Sequence, residues 1–366
     1  FLDFERVEAE MSAIMNSNIK RVWLADAVAN LDKERFKKIL RLLLEKNANK
    51  VLFDFEMVAE MLDDETVELL AGLPGGYMAC GLQSTDPTAL KNSKRFSNLA
   101  RFRRNIETLR RLNGKIEIWI DVIYGLPGDT WATYRNSVDF ALSFFPDKLQ
   151  VHRLRALPGT QFHSDAARLG LVHDERPPYF ARRTPTFSPA DFRRASRLAW
   201  VTELYNVLPP VRVAVSLAGR SGGGVLAALE TLAAPLGPAP RRASLGQVSE
   251  AVDRFLEEQH ERLPKGAAGV LKEFNRYAIG LMTNAFPRRA IGRGGRDGFS
   301  LQIHRLSRDY ERLMSDRGLL SPDLDWRGLP KKKTMVAFNE GALHATFAQF
   351  AARRDSYRPI EPHGVF

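Results

Sequence analysis

The sequence holds a single cysteine, Cys80, among 366 residues. One cysteine excludes an intramolecular disulfide and fits a reducing compartment. No apolar run approaches the roughly eighteen residues that a membrane span requires. The longest apolar stretches are interrupted by charges or glycines. Residues 1–20 are amphipathic and carry acids throughout, which is not the pattern of a signal peptide. These absences predict a cytoplasmic protein that does not enter a membrane. An initiating methionine is also missing. The chain starts at Phe1, and this reads as a fragment or a processed product.

What is present is the composition of a soluble globular protein, 44% hydrophobic and 27% charged. The length suits one large domain or two ordinary ones. The formal charge is +11. Basic residues gather late, at Arg241-Arg242, Arg288-Arg289, Arg293, Arg296 and Lys331-Lys332-Lys333. Such a surface can attract nucleic acid or acidic lipid. No aromatic residues interleave these clusters as base stacking requires, so a solvated arginine-rich surface is favoured over a nucleic-acid partner.

Apolar spacing predicts alternating elements through residue 160. Helices are expected over 3–16, 32–46 (with Asp32 as N-cap), 63–71, 97–112 and 130–144. Strands are expected over 21–27, 50–56, 76–82, 115–123 and 148–154. Alternation at this spacing argues for right-handed βαβ units and a parallel sheet, as a barrel, a partial barrel or an open sheet. After Pro177-Pro178-Tyr179, a further helix is expected over 189–205. Residues 206–240 are rich in Gly, Ala and Pro, and helical patterns follow at 245–262, 267–283 and 302–316. The expected division is 1–205 for the α/β part and 206–366 for a mostly helical extension.

Polar candidates stand just after strands: Asp26 and Asn30, Glu56, Gln83 and Asp121. In parallel α/β folds the C-terminal strand ends are where ligands bind. A carboxylate or amide that ends a buried strand must find hydrogen-bond partners. Ribose hydroxyls and an amino acid's ammonium are suitable partners, and Arg95 could hold a carboxylate bidentately. The alternative, that these groups satisfy neighbouring loop amides and helix N-termini, stays open on spacing alone.

The stretch Gly81-Leu82-Gln83-Ser84, then Arg95 twelve residues after Gln83, then Asp121-Val122-Ile123-Tyr124-Gly125-Leu126-Pro127 resembles the radical S-adenosylmethionine (SAM) enzymes related to anaerobic coproporphyrinogen oxidase. Gly81–Pro87, Leu149-Gln150-Val151, Leu157–Thr160 and Pro177–Tyr179 are similar to cobalamin-binding-type radical SAM proteins with a helical tail. The resemblance covers roughly residues 1–205. It implies an α/β fold, a partial (β/α)6 TIM-like barrel lacking its first strand, with a helical C-terminal extension. It implies SAM as cofactor, with Gln83 (beside Ser84) and Asp121 at the ribose, and Glu56 and Arg95 at the methionine part. Asp26 falls near the SAM amino group, although the family's Gly-Gly-Glu is absent there. It further implies a [4Fe–4S] cluster, a 5′-deoxyadenosyl radical acting on a small-molecule substrate, a reductant such as ferredoxin or flavodoxin, and, with cobalamin, methyl transfer.

The family's Cys-x-x-x-Cys-x-x-Cys loop has no counterpart in this sequence, since Cys80 alone cannot replace three ligands. Either the cluster ligands lie upstream of Phe1, or the protein is a homologue that has lost its cluster. The missing methionine and the start at the first helix favour the former. The fragment alone is then expected to be inactive. A non-catalytic barrel binding a nucleotide-like ligand or RNA is the alternative.

Other signals carry less. Gly219-Arg220-Ser221-Gly222-Gly223 matches the Gly-x-Ser-x-Gly of a hydrolase elbow and follows the apolar run VRVAVSLA. It makes Ser221 a remote nucleophile candidate, with a flexible connection favoured instead. The same glycines lack the Gly-Lys-Ser/Thr of a phosphate loop. Gly292–Arg296 reads as a loop rather than an RNA-binding box. His152, His163 and His173 have no metal-motif spacing; His152 reads as a structural or substrate-contacting group.

Overall fold

The computed structural model describes residues 2–275 apart from 96, 113–115, 208, 221, 238–242, 244, 264–267, 269–270 and 273–274. It divides into two compact units, Phe1–Arg193 and Arg194–Phe366. The expected helices at 267–283, for the most part, and at 302–316 lie outside the described residues, as do Ser221 and the basic clusters from Arg241 onward.

The first unit alternates as its apolar spacing dictates. Its elements are α1 (Phe4–Met15), β1 (Arg21–Trp23), α2 (Lys33–Lys46), β2 (Leu52–Met57), α3 (Asp64–Gly72), β3 (Gly76–Gln83), α4 (Pro87–Asn92), α5 (Leu99–Leu112), β4 (Ile116–Tyr124), α6 (Trp131–Leu142) and β5 (Lys148–Arg153). Helix starts are fixed by side-chain caps. Asp32 accepts from the Arg35 amide, Asp63 from Thr66, Asp86 from Thr88 and Ala89, and Thr130 from Thr133. The short helix α4, which falls between two expected elements, begins at Pro87 behind its Asp86 cap. The short helix α7 (Gln161–Ser164), the antiparallel pair β6 (Val172–His173) and β7 (Ala181–Arg183), and the start of α8 (Pro189–Val207) complete the unit.

The five strands lie in the order β1-β2-β3-β4-β5, and every pair is parallel. Sequential order is decisive. With right-handed crossovers, each connecting helix falls on the same face of the sheet. A doubly wound sheet reverses its order to place helices on both faces; this one does not. The fold is therefore a partial (β/α) barrel, with helices outside and the other sheet face turned inward.

Burial follows that division. Along β4, Ile116, Ile118, Ile120, Val122 and Tyr124 are buried, while Glu117, Trp119, Asp121 and Ile123 are partly exposed. The buried set meets the helices, where Phe36, Leu40, Leu70, Phe102, Ile106, Tyr134 and Val138 are all essentially inaccessible. Burying each such side chain is worth about 1.5–3 kcal/mol. The alternate positions line the inner face.

In the second unit, α9 (Pro209–Arg220), α10 (Gly224–Ala233) and α11 (Leu245–Glu258) follow α8, which runs across the division. The run VRVAVSLA is thus a helix and not a strand, which removes the strand a hydrolase elbow at Ser221 needs. Val211, Ala214, Val215 and Ala218 are buried at helical spacing. Arg212 is buried among them because its guanidinium donates to the Tyr205 and Asn206 carbonyls in the last turn of α8, at 3.1 and 2.8 Å. Among the described residues, no helix is long and apolar enough to cross a membrane.

Candidate functional site

The inner face of the sheet carries two layers of side chains. In the lower layer, Arg21 donates twice to Asp54, at 2.6 and 2.9 Å, and Asp54 also accepts the Tyr77 amide at 2.8 Å. Tyr77 and Trp119 stack with ring centroids 3.9 Å apart and planes within 7°. Arg21 lies over Tyr77 at 5.3 Å and Lys148 over Trp119 at 4.4 Å. Trp119 donates its indole N–H to Glu117 at 2.9 Å. The row Arg21–Tyr77–Trp119–Lys148 is a closed sandwich of cations and rings, and it forms a floor.

The upper layer lies nearer the C-terminal strand ends. Glu56 is opposite Ala79 across β2 and β3, and Gly81 is opposite Asp121 across β3 and β4. Asp121 is opposite Gln150, which donates to Asp121 Oδ1 at 2.8 Å. Only small residues, Ala79 and Gly81, separate the two carboxylates. Adjacent strands are about 4.8 Å apart, so the trough between Glu56 and Asp121 is about 10 Å across. Burial raises the Asp121 carboxyl above its ordinary range and Glu56 adds to the shift. The Gln150 hydrogen bond, His152 and Lys148 oppose it.

Gly81 is required by what lies over it. A Cβ there would come within 2.4 Å of Gln83 Nε2 and 3.3 Å of Arg95 Nη1. The Gln83 amide and the Arg95 guanidinium therefore meet above a bare stretch of backbone. Gln83 has φ +64°, a left-handed conformation that costs a non-glycine residue energy. The register of β3 against β4 shifts at the same point, between Gly81 and Gln83. Gln83 Oε1 is buried and has no hydrogen-bond partner. A buried acceptor left unmade costs about 1–3 kcal/mol, and a ligand donor would remove that cost.

The structure thus brings Glu56, Gln83, Arg95 and Asp121 to one trough. Asp26 stands exposed in the loop after β1, at the same sheet edge. Asn30 is committed elsewhere: its amide bonds both the Val58 carbonyl and the Val58 amide, at 2.8 and 3.0 Å. Ser84 is fully buried, and its hydroxyl faces Asp129 and Ser137 at 3.2 and 3.4 Å. Its contribution to the trough is through the backbone next to Gln83. His152 is exposed near the end of β5, two positions after Gln150. His163 and His173 approach each other, with ring centroids 5.4 Å apart.

Sequence reading missed Gln150 as the partner of Asp121, and the Tyr77–Trp119 floor. A signal existed for Trp119, which shares the phase of Glu117 and Asp121 in the alternation IEIWID. Cys80 is on the opposite phase, fully buried, and burial pushes its thiol well up. That is the environment of a small packed side chain, not of a metal-binding thiolate. Among the described residues, no group of three or more His, Cys, Asp or Glu could hold a metal ion.

The Radical SAM superfamily model matches residues 1–141. A Pyrococcus horikoshii protein named a probable threonylcarbamoyladenosine tRNA methylthiotransferase is 28% identical over 114 residues, 31% of this chain and 25% of its own length. An uncharacterized Sinorhizobium fredii protein, y4hJ, is 33% identical over 94 residues, 26% of this chain and 36% of its own. The matched segment therefore spans between a quarter and about a third of these relatives. Among solved structures, the radical SAM methyltransferase TsrM of Kitasatospora setae, with tryptophan and a SAM analogue bound, aligns at TM-score 0.46 and 17% identity. That alignment covers 55% of this chain and 46% of TsrM. Coproporphyrinogen III oxidase of Escherichia coli aligns at TM-score 0.42 and 15% identity, covering 59% and 51%.

Proposed function

We propose, from the match of the Radical SAM superfamily model to residues 1–141, that the trough of Glu56, Gly81, Gln83, Arg95 and Asp121 binds S-adenosylmethionine. The observation that carries the reading is the buried, unpartnered Gln83 Oε1, held beside Arg95 above Gly81. Gln83 Oε1 and Asp121 accept from the ribose hydroxyls. Glu56 accepts from the ammonium group, and Arg95 donates to the carboxylate bidentately. The bare Gly81 backbone lets the ligand lie close to the sheet. Binding a hydroxyl donor lowers the Asp121 carboxyl towards its ordinary range, because the charged form gains a hydrogen bond. Asp26, at the same edge, faces the ammonium end.

SAM when bound supplies the group that reacts; this chain binds it, orients it and closes the floor beneath it with the Tyr77–Trp119 stack. The [4Fe–4S] cluster of the family is a different case. It needs three thiolates, and this sequence has one cysteine, buried on the helix side. These residues do not fit the cluster; a complete radical enzyme would take its thiolates from outside these residues.

Calorimetric titration of the 366-residue chain with SAM tests the assignment. Gln83→Ala and Asp121→Ala should each weaken binding by about 1–3 kcal/mol. Failure of the unmodified chain to bind SAM, or unchanged affinity in both variants, would remove it.

A further inference from the structure

Behind the trough, on the helix side of β3 and β4, lies a buried cluster of hydroxyls around one carboxylate. Asp129 is completely inaccessible. Its Oδ1 accepts from the Thr133 hydroxyl at 2.6 Å and its Oδ2 from the Ser84 hydroxyl at 3.2 Å. Ser84 Oγ also accepts the Asp86 amide at 3.0 Å, and Ser137 Oγ accepts the Thr85 amide at 2.8 Å. Successive residues from Ser84 to Asp86 are thereby tied to the loop and first turns of α6. The residue just before them is Gln83, with its left-handed backbone.

The ties continue into α4. Asp86 caps that helix by accepting the Thr88 and Ala89 amides, each at 2.9 Å. Asn92 donates to the Pro127 carbonyl at 2.9 Å. Gly128, beside Asp129, packs so closely under α4 that a Cβ would meet Thr88 at 2.8 Å and Asn92 at 3.0 Å. At the end of α4 the Arg95 amide bonds the Leu90 carbonyl at 2.9 Å, and the Arg95 side chain returns over Gly81. One network, buried at Asp129 and Ser84, therefore connects the loop after β4 to both groups above Gly81.

We propose that Asp129 is a positioning residue for the trough: through Ser84 it fixes the Gln83 turn, and through the α4 contacts beside it the return of Arg95. For its ligand this rests on the proposed SAM site; for its geometry it does not. Packing alone does not call for an acid here. Burial pushes the carboxyl up to about 6 against the opposing hydrogen bonds of Thr133 and Ser84, with Asp86 adding to the shift. A group that is costly to ionise where it stands has a use beyond filling space.

The test compares Asp129→Ala, Asp129→Asn and Ser84→Ala in the full chain, with amide hydrogen exchange read peptide by peptide and SAM affinity read by calorimetry. Asp129→Ala should raise exchange over residues 83–95 and weaken SAM binding by about tenfold, leaving α2 and β2 unchanged. Asp129→Asn should restore both readouts, because an amide of the same shape keeps a partner for each hydroxyl. A merely structural role would not give this local, Asn-rescued pattern. Wild-type exchange at 83–95 in Asp129→Ala, or wild-type affinity, would overturn the proposal. If Asp129→Ala unfolds as a whole, Ser84→Ala removes only the bridge and decides in the same way. If the unmodified chain does not bind SAM, the proposed function falls, and exchange at 83–95 still decides the coupling.

Discussion

The two faces of the sheet are built on opposite rules, although they share every strand. On the helix side, Phe53, Phe55, Met78, Cys80, Ile118, Ile120 and Val122 are closed apolar packing. The inner face has Asp54, Glu56, Tyr77, Glu117, Trp119, Asp121, Lys148 and Gln150, and two glycine or alanine positions where a side chain would block the trough. The difference separates the residues that make the fold stable from those that give it a ligand site. A polar inner face contributes little to stability, so the helix side must carry it.

That contrast predicts the largest effect in the molecule. Phe102 is inaccessible and packs against Phe140 and Phe144 at 6.2 and 5.6 Å. Phe102→Ala should cost about 3–5 kcal/mol in urea unfolding. Asp121→Ala, on the inner face, should change stability by about 1 kcal/mol or less while weakening SAM binding. If both variants lost stability equally, the division of labour between the faces would be wrong.

The buried Asp129 is an ionisable exception to the apolar packing of the helix side, and pH sharpens the contrast. Its folded value of about 6 lies above the 3.8 of a free Asp, so the folded chain holds the proton more tightly than the unfolded chain. The stability this group gives is fully present below pH 3.8 and is lost as pH rises through 6. The loss should be about 2–3 kcal/mol between pH 4 and pH 8. Asp129→Asn should remove that component of the pH dependence and be the more stable chain at pH 8. Parallel pH curves for the two chains would show that Asp129 ionises freely.

Much of this was legible in the sequence, for reasons that also mark where legibility stops. The strands and flanking helices of the first unit follow from apolar spacing and from caps such as Asp32 and Asp63, which are local signals. Gln83, Arg95 and Asp121 were legible because motif order fixes which strand ends they occupy. The floor was not, because Tyr77 and Trp119 meet only after β3 and β4 pair in register. Asp129 was not, because its partners Ser84 and Thr133 lie on other elements, just after β3 and in α6. In 206–240, glycine and proline content suggested a connection. Helical spacing of Val211, Ala214, Val215 and Ala218 prevailed there, with Arg212 stabilised by carbonyls of the preceding helix.

Within the inner face, the lower and upper layers differ in saturation. Arg21, Asp54, Tyr77, Trp119 and Lys148 all have partners in the row, whereas Gln83 Oε1 has none. A saturated layer should register in stability and an unsaturated one in binding. Lys148→Ala tests the saturated side with the smallest effect expected here. It removes one cation from the Trp119 face and should cost about 0.5–1 kcal/mol of stability. It should shift tryptophan emission, because Trp119 loses a charge 4.4 Å from its ring. SAM affinity should stay within about twofold, since Lys148 belongs to the floor and not to the groups that meet the ligand. A large loss of affinity in Lys148→Ala would mean that the ligand reaches the lower layer, and the trough would then be deeper than the Tyr77–Trp119 stack allows.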